Sequence, residues 1–121
     1  MELFARIKLW IASDSGDDIM GNGRWLLLKT IDEEGSLSAA VEKLGVSYRK
    51  AWGSLNKAEN SLGVKLVEKY RGGSQGGRTT LSKEGRILVD AYEEFYLSSK
   101  SYVNTAFIDF QQKISKLKKN L

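Results

Sequence analysis

Residues 36–63 read SLSAAVEKLGVSYRKAWGSLNKAENSLG and contain two apolar patterns with helical spacing. The first pattern follows i, i+3, i+4, i+7 and predicts a short helix over residues 36–44. The second has spacings of 4, 3 and 4 residues and predicts a longer helix over residues 47–62. The residues expected in the core are Leu37, Ala40, Val41, Leu44, Ala51, Leu55, Ala58 and Leu62.

Serines and glycines mark the ends of both predicted helices. Ser36 and Ser47 precede them as N-caps, whose side chains accept a hydrogen bond from a free N–H of the first turn. Gly45 and Gly63 follow them, because glycine readily adopts the left-handed conformation that ends helices. Only Gly45-Val46-Ser47 separates the helices, and such a pair with a short glycine-containing turn is the sequence pattern of a helix-turn-helix.

The residues before this pair predict a strand, a loop and a helix. Residues 3–11 alternate between aliphatic side chains and charged or aromatic ones, and period two predicts a strand. The following SDSGDDIMGNG is rich in Gly, Asn and Asp and predicts a loop. A helix is predicted over residues 24–34, with Asn22 as candidate N-cap and Gly35 as candidate end. Its expected buried residues are Trp25, Leu28 and Ile31.

Two short β-runs follow the pair and are joined by the glycine-rich tip RGGSQGG. Residues 64–70 and 78–81 predict the two strands of a hairpin. Ser82 then caps a helical pattern over about residues 82–118, which fits either one helix or two divided at Leu97-Ser98-Ser99. The pattern runs through Leu88, Ala91, Phe95, Tyr102, Ala106, Phe110, Ile114 and Leu117.

These elements predict one α+β domain over residues 1–121, mainly α-helical with a small β-sheet. A helix before the pair and a hairpin after it complete a winged helix-turn-helix. The helix-turn-helix occupies about residues 36–62, the wing about 64–81 and the C-terminal helical segment about 82–118.

Composition narrows the chemistry, and the position of the charge indicates a partner. The chain has no Cys and no His, which excludes disulfides, cysteine nucleophiles and the commonest catalytic base. We therefore expect no enzyme, no metal site and no cofactor. Residues 47–86 hold nine basic and three acidic side chains, net +6, whereas the whole chain is only +4. A basic cluster of this kind is typical of a surface that binds a polyanion, although it is also found on solvated faces.

The predicted second helix carries the candidate contacts to double-stranded DNA. In a helix-turn-helix this recognition helix enters the major groove, with its N-terminal residues against base edges. Arg49 and Asn56 are the best candidates to read bases, since Arg pairs with guanine and Asn with adenine. Basic residues such as Lys69 suit phosphates, and Trp52 is expected to pack against the hairpin. The candidate DNA-binding residues are Ser47, Tyr48, Arg49, Lys50, Gly53, Asn56, Lys57, Arg71, Gly73, Ser74 and Arg78.

Several short motifs within about residues 4–97 resemble motifs of known regulators. Those shared with LysR-type regulators are Ala39-Ala40, Leu44, Ser47, Leu55, Glu59, Leu62-Gly63 and Leu66. Those shared more specifically with the molybdate-responsive ModE regulators are Ser47-Tyr48-x-x-Ala51-Trp52, Gly72-Gly73-x-x-Gly76-Gly77 and Leu81-Ser82-x-x-Gly85.

The resemblance to ModE-type regulators implies a winged-helix DNA-binding domain that forms a homodimer. It implies an N-terminal strand joined to the wing region and a dimer built by the helices after the wing. Full-length regulators of this kind also carry a C-terminal molybdate-binding region, for which this chain leaves no room before Leu121. A stand-alone DNA-binding protein, a partner of a separate sensor protein or unknown effector, and a piece of a longer chain are the alternatives.

The predicted function is that of a sequence-specific, cytoplasmic transcriptional regulator that binds a palindromic operator as a homodimer. No apolar run approaches the ~18 residues of a membrane span, so we expect no membrane partner. The alternative is a winged-helix protein-interaction module that docks a partner through its C-terminal helices.

Overall fold

Four helices and two small antiparallel sheets form the fold, in a computed structural model that describes residues 1–70 and 77–117. The predicted α+β winged helix-turn-helix is confirmed. The elements in chain order are β1 (Trp10–Ala12), β2 (Asp18–Gly21), α1 (Asn22–Glu34), α2 (Leu37–Leu44), α3 (Tyr48–Leu62), β3 (Val67–Tyr70), β4 (Arg78–Leu81) and α4 (Lys83–Ile114).

The helix-turn-helix has the caps that its sequence predicts. Ser36 Oγ accepts a hydrogen bond from Ala39 N at 3.0 Å, and Ser47 Oγ accepts one from Lys50 N at 3.3 Å. Gly45 ends α2 with a φ of 67°, in the left-handed region that favours glycine. These caps fix the short turn that sets the angle between α2 and α3.

The core lies where α1, α2 and α3 meet the wing and the first turns of α4. The prediction that Leu62 lies in the core is wrong. Leu62 is 38% exposed, because the last turn of α3 extends beyond the core. Glu59 is buried instead. Trp25 is only half-buried at the edge of this cluster. The buried apolar residues are Met20, Leu27, Leu28, Ile31, Leu37, Ala40, Val41, Ala51, Leu55, Ala58, Leu66, Leu81, Val89 and Tyr92.

The wing is the β3–β4 hairpin, paired from Val67↔Leu81 to Tyr70↔Arg78. Its first strand begins at Val67 and not at Val64 as predicted, because Leu66 N donates to a side chain of α3 and not to a ladder partner. Thr79 N donates to Gly35 O at 2.8 Å and ties the wing to the turn between α1 and α2.

The N-terminal predictions need correction. Only Trp10–Ala12 forms a strand in the predicted range 3–11, and its partner β2 lies inside the predicted loop. Alternation predicts which side chains face inward, but a strand also needs a ladder partner, and β2 is only four residues long. β1 pairs with β2 and not with the wing. Asn22 is not an N-cap, because α1 begins at Asn22 and the cap is Gly21, without a side-chain bond.

α4 is one continuous helix of 32 residues through the alternative break at Leu97-Ser98-Ser99. Residues 86–114 contain no Gly or Pro, so nothing in the backbone interrupts it. At its start, Gly85 lies against the backbone of Leu66, and a Cβ on Gly85 would overlap the Leu66 carbonyl. Among the described residues, no helix has the length and apolarity needed to cross a bilayer.

Candidate nucleic-acid interface

The outer face of α3 is polar and open to solvent. Arg49, Gly53 and Asn56 follow one another at helical spacing on the side opposite the core, and Arg49 is exposed. Lys50 and Lys57 are exposed on one flank of this face. The helix therefore presents hydrogen-bonding groups at its centre and cationic groups at its edge.

The start of α3 and the wing form one continuous surface. A depression between them is lined by Tyr48, Lys69, Tyr70 and Arg78, among others. Ser47 is also exposed at this end of the helix. The structure thus brings Tyr48 and Arg78 together, with Ser47 next to Tyr48 in the chain. The predicted site residues Arg71, Gly73 and Ser74 lie outside the described residues.

Trp52 occupies an intermediate place between core and surface. It is 46% exposed, and Lys69 Nζ of the wing lies 6.0 Å from its ring centroid. That distance is at the limit of a cation–π contact. The ring thus contacts the hairpin, as expected of a packing residue, but half of it remains on the open surface beside Asn56.

Glu59 fixes the wing to α3, a role that spacing and charge did not predict. Its Oε2 accepts hydrogen bonds from Leu66 N at 2.7 Å and Val67 N at 3.4 Å, and its Oε1 lies 3.7 Å from Lys65 Nζ. A buried carboxylate is stable only when such donors compensate the loss of water. The sequence signal for this role is that Glu59, a charged residue, directly follows Ala58, which is buried in the core.

Arg24 holds the other side of α3, and the sequence patterns did not predict this role either. Its Nε donates to Ser54 Oγ at 3.0 Å, and its Nη1 donates to the carbonyls of Asp18 at 2.9 Å and Ile19 at 2.8 Å. Burial lowers the pKa of the guanidinium, and the charge of Asp18 acts in the opposite direction. α3 is therefore held from β2 on one side and from the wing on the other.

The cations of this surface, which we call the recognition surface, are available to an external anion. Within residues 1–70 and 77–117, the ion pairs link other residues, and these cations have no carboxylate within 4 Å. The same residues contain no group of three potential metal ligands. The recognition surface comprises the outward side chains of α3 and the wing, with Arg49, Lys50, Lys57, Lys69 and Arg78 as its cations.

Comparison with known proteins agrees with this geometry. The family described as bacterial regulatory helix-turn-helix protein, lysR family, matches residues 24–86, slightly more than half of the chain. The matched residues run from α1 through the recognition surface to the first turn of α4.

Individual relatives match the same part of the chain. The molybdenum-pterin-binding protein MopB of Rhodobacter capsulatus is 38% identical over 73 residues, which are 60% of this chain and 27% of MopB. The molybdenum transport protein ModE of Azotobacter vinelandii is 33% identical over 82 residues, 68% of this chain and 30% of ModE.

A third relative carries an explicit functional description. The DNA-binding transcriptional dual regulator ModE of Escherichia coli is 36% identical over 67 residues, 55% of this chain and 26% of that protein. The chain thus matches less than a third of the length of these relatives. The chain belongs to the lysR family of bacterial regulatory helix-turn-helix proteins.

Proposed function

We propose that this regulator binds a palindromic operator as a homodimer, with α3 in the major groove and the wing against the neighbouring backbone. The observation that carries this proposal is the depression in which Lys69 and Arg78 of the wing meet Tyr48 at the start of α3, next to the exposed Arg49 and Lys50. Among the described residues, none of these cations has a carboxylate within 4 Å. Two recognition helices related by a two-fold axis would reach half-sites about 34 Å apart, one turn of B-DNA.

Residues at the centre and the edge of the recognition surface have different tasks in this proposal. Arg49 and Asn56 read base edges, and Gly53 lets the helix approach the groove closely. Ser47, Tyr48, Lys50, Lys57 and Arg78 bind the backbone, which positions the protein without reading sequence. Arg71, Gly73 and Ser74, which lie between β3 and β4 in the sequence, are proposed to add further contacts to DNA.

The test compares two arginines that have the same charge but lie on different elements, Arg49 on α3 and Arg78 on the wing. Arg49→Ala should reduce the preference for the operator over unrelated DNA by about 1–3 kcal/mol, because it removes a base contact. Arg78→Ala should weaken binding to all sequences and lower the salt slope of log K by about 0.9. Fluorescence anisotropy with both DNAs over a salt series measures these quantities. Equal loss of preference in both variants would contradict the assignment.

The apolar surface of α4 supports the homodimer and also a second candidate function. Phe95, Tyr102 and Phe110 are 46%, 80% and 51% exposed on this helix. Such a helix covers its aromatic residues by packing against another, which is a second copy in our proposal and another protein in a docking module. Sedimentation at increasing concentration separates the two, since only the first yields dimers from the isolated chain.

The remaining parts of the proposal concern location and regulation. A chain that works by contact with DNA belongs in the cytoplasm of a bacterium and needs no cofactor. An effector would then act through a separate sensor protein or another part of a longer chain. Titration of the protein with molybdate, followed by operator binding, distinguishes direct sensing from both.

A further inference from the structure

Residues 5–9 lie along α4. Leu9 O accepts a hydrogen bond from the Tyr92 hydroxyl at 2.8 Å, whereas Ala5 and Ile7 line a groove with Lys100. From Tyr92 to Lys100 the helix rises about 12 Å. An extended chain covers about that distance in the three to four residues between Leu9 and this groove. The segment therefore runs antiparallel to α4.

This segment has the side-chain pattern of a strand without a strand beside it. Leu3, Ala5, Ile7 and Leu9 are half-buried, and the residues between them are exposed. The β1–β2 ladder stops at the pair Trp10↔Gly21. Within the described residues, no hydrogen bond reaches the main chain of residues 1–8. Such unpaired N–H and C=O groups are a template for another strand.

The sequence ELFARIK of residues 2–8 is complementary to itself when two copies run antiparallel about Ala5. On the exposed face, this register places Glu2 opposite Lys8 and Phe4 opposite Arg6. Opposite charges and cation–aromatic pairs are both favourable across neighbouring strands. Two-fold symmetry produces each pair twice.

The half-buried face is complementary in the same register. Leu3 lies opposite Ile7, and Ala5 lies opposite its own copy on the axis. Within residues 2–8, a register centred on Phe4 would pair only residues 2–6, and one centred on Arg6 would place two like charges face to face. Pairing about Ala5 therefore uses the whole segment and opposes no like charges.

We propose that residues 2–8 of two copies pair as an antiparallel β-ribbon centred on Ala5. The ribbon lies over the α4 helices of the homodimer and satisfies main-chain groups of residues 2–8 that have no hydrogen bond within the described part of the chain. This proposal rests on the homodimer of the proposed function, and it adds the segment and the register by which the copies recognise each other.

A cysteine at position 5 tests the register directly, because the chain has no cysteine of its own. Opposed Cα atoms in an antiparallel pair are about 4.5–5.5 Å apart, within the range that a disulfide spans. Ala5→Cys should give mostly disulfide-linked dimer under mild oxidation. The control is Phe4→Cys, at a position where the native side chain is 77% exposed but would lie about 8 Å from its copy.

The two cysteine variants have opposite expectations under pairing and under random collision. Pairing predicts rapid linkage at Ala5, whereas collision favours the more exposed position 4. Faster linkage of Phe4→Cys, or no linkage of Ala5→Cys in a chain that dimerises, overturns the ribbon.

A charge exchange gives a second test that needs no oxidation. Glu2→Lys or Lys8→Glu alone should raise the dimer dissociation constant about five- to tenfold, since each breaks two symmetry-related pairs. The double variant restores opposite charges and should return the constant to near its original value. Additive losses in the double variant would overturn the proposed pairing of Glu2 with Lys8.

Failure of the ribbon and failure of the proposed function are distinguishable. A wild-type chain that dimerises and binds the operator while Ala5→Cys stays unlinked overturns only the ribbon. A chain that sediments as a monomer overturns both the ribbon and the homodimer. Loss of salt-dependent DNA binding with Ala5-linked dimers intact overturns the recognition surface and leaves the ribbon supported.

Discussion

The recognition surface and the distal part of α4 differ in how the fold supports them. Arg24 and Glu59 hold α3 by short hydrogen bonds from two sides, so its outward residues stand on a fixed base. The distal part of α4, by contrast, is flanked by the unpaired N-terminal segment and exposes Tyr102 and Phe110. We call this second region, residues 1–9 and 95–117, the assembly surface.

The two surfaces differ in what they expose to solvent. The recognition surface carries cations and half-exposed rings such as Trp52 on a base that contacts within the chain hold in place. The assembly surface exposes aromatic rings of α4 and, within the described residues, main-chain groups of residues 1–8 without a hydrogen bond, which another chain would cover. Variants that affect one region and leave the other unchanged therefore test the distinction.

The largest effect is expected at Gly85, where α4 leaves the recognition half of the molecule. Gly85→Ala places a Cβ on the Leu66 carbonyl, and the backbone on both sides must move. We expect a loss of about 3 kcal/mol or more in the free energy of unfolding, measured by urea denaturation.

The control for Gly85 is a helical glycine with open space. A Cβ on Gly23, in α1, would have no neighbouring atom within 4 Å, so Gly23→Ala should leave stability unchanged or increase it by up to about 1 kcal/mol. A gain at Gly85 equal to the gain at Gly23 would mean that helix propensity, and not the contact with Leu66, decides the outcome.

The second effect concerns Glu59, which joins α3 to the wing. Glu59→Ala leaves the N–H groups of Leu66 and Val67 without their acceptor, and we expect a loss of about 2 kcal/mol. Operator affinity measured below the unfolding transition should fall as well, because the wing loses its anchor. Glu42→Ala, at an exposed position of α2, is the control and should change neither.

The third effect concerns the assembly surface. Tyr102→Ala removes an 80% exposed ring from α4 and should weaken the dimer about tenfold, with little change in monomer stability. Tyr70→Ala removes a half-exposed ring from the wing and should leave dimerisation unchanged. Sedimentation equilibrium measures both; equal weakening in the two variants would remove the distinction between the surfaces.

Local patterns in the sequence predict the helix-turn-helix well, because its signals act over a few residues. Ser36 and Ser47 each cap a helix by accepting a hydrogen bond from the N–H three residues later. Gly45 ends α2 in the left-handed backbone conformation that glycine adopts readily. The candidate contacts on α3 follow from the same periodicity, since Ala51 and Leu55 in the core place Arg49 outside.

Contacts between distant residues were not predictable in this way. Arg24 donates a hydrogen bond to Ser54, which is 30 residues away in the sequence, and the Tyr92 hydroxyl donates one to Leu9 O, which is 83 residues away. Period two in residues 3–11 identified the half-buried side chains of residues 3–9, but it was wrong for Ile11, which is 38% exposed. It also did not identify the ladder, which depends on where a partner strand lies. The half-exposed Trp52 likewise reflects the position of the wing, which its own helix does not determine.

The smallest effect is expected at Gly53, in the centre of the recognition surface. Apart from the backbone of its own helix, a Cβ there would have no atom of the described residues within 4 Å, so the fold does not require glycine at this position. A glycine inside a helix costs about 0.5–1 kcal/mol relative to alanine, and Gly53→Ala should raise the free energy of unfolding by that amount. If α3 lies in the major groove at this point, the added methyl group should instead weaken operator binding. Higher stability with unchanged affinity would mean that DNA does not approach Gly53, and the base-reading face would then lie nearer to Trp52.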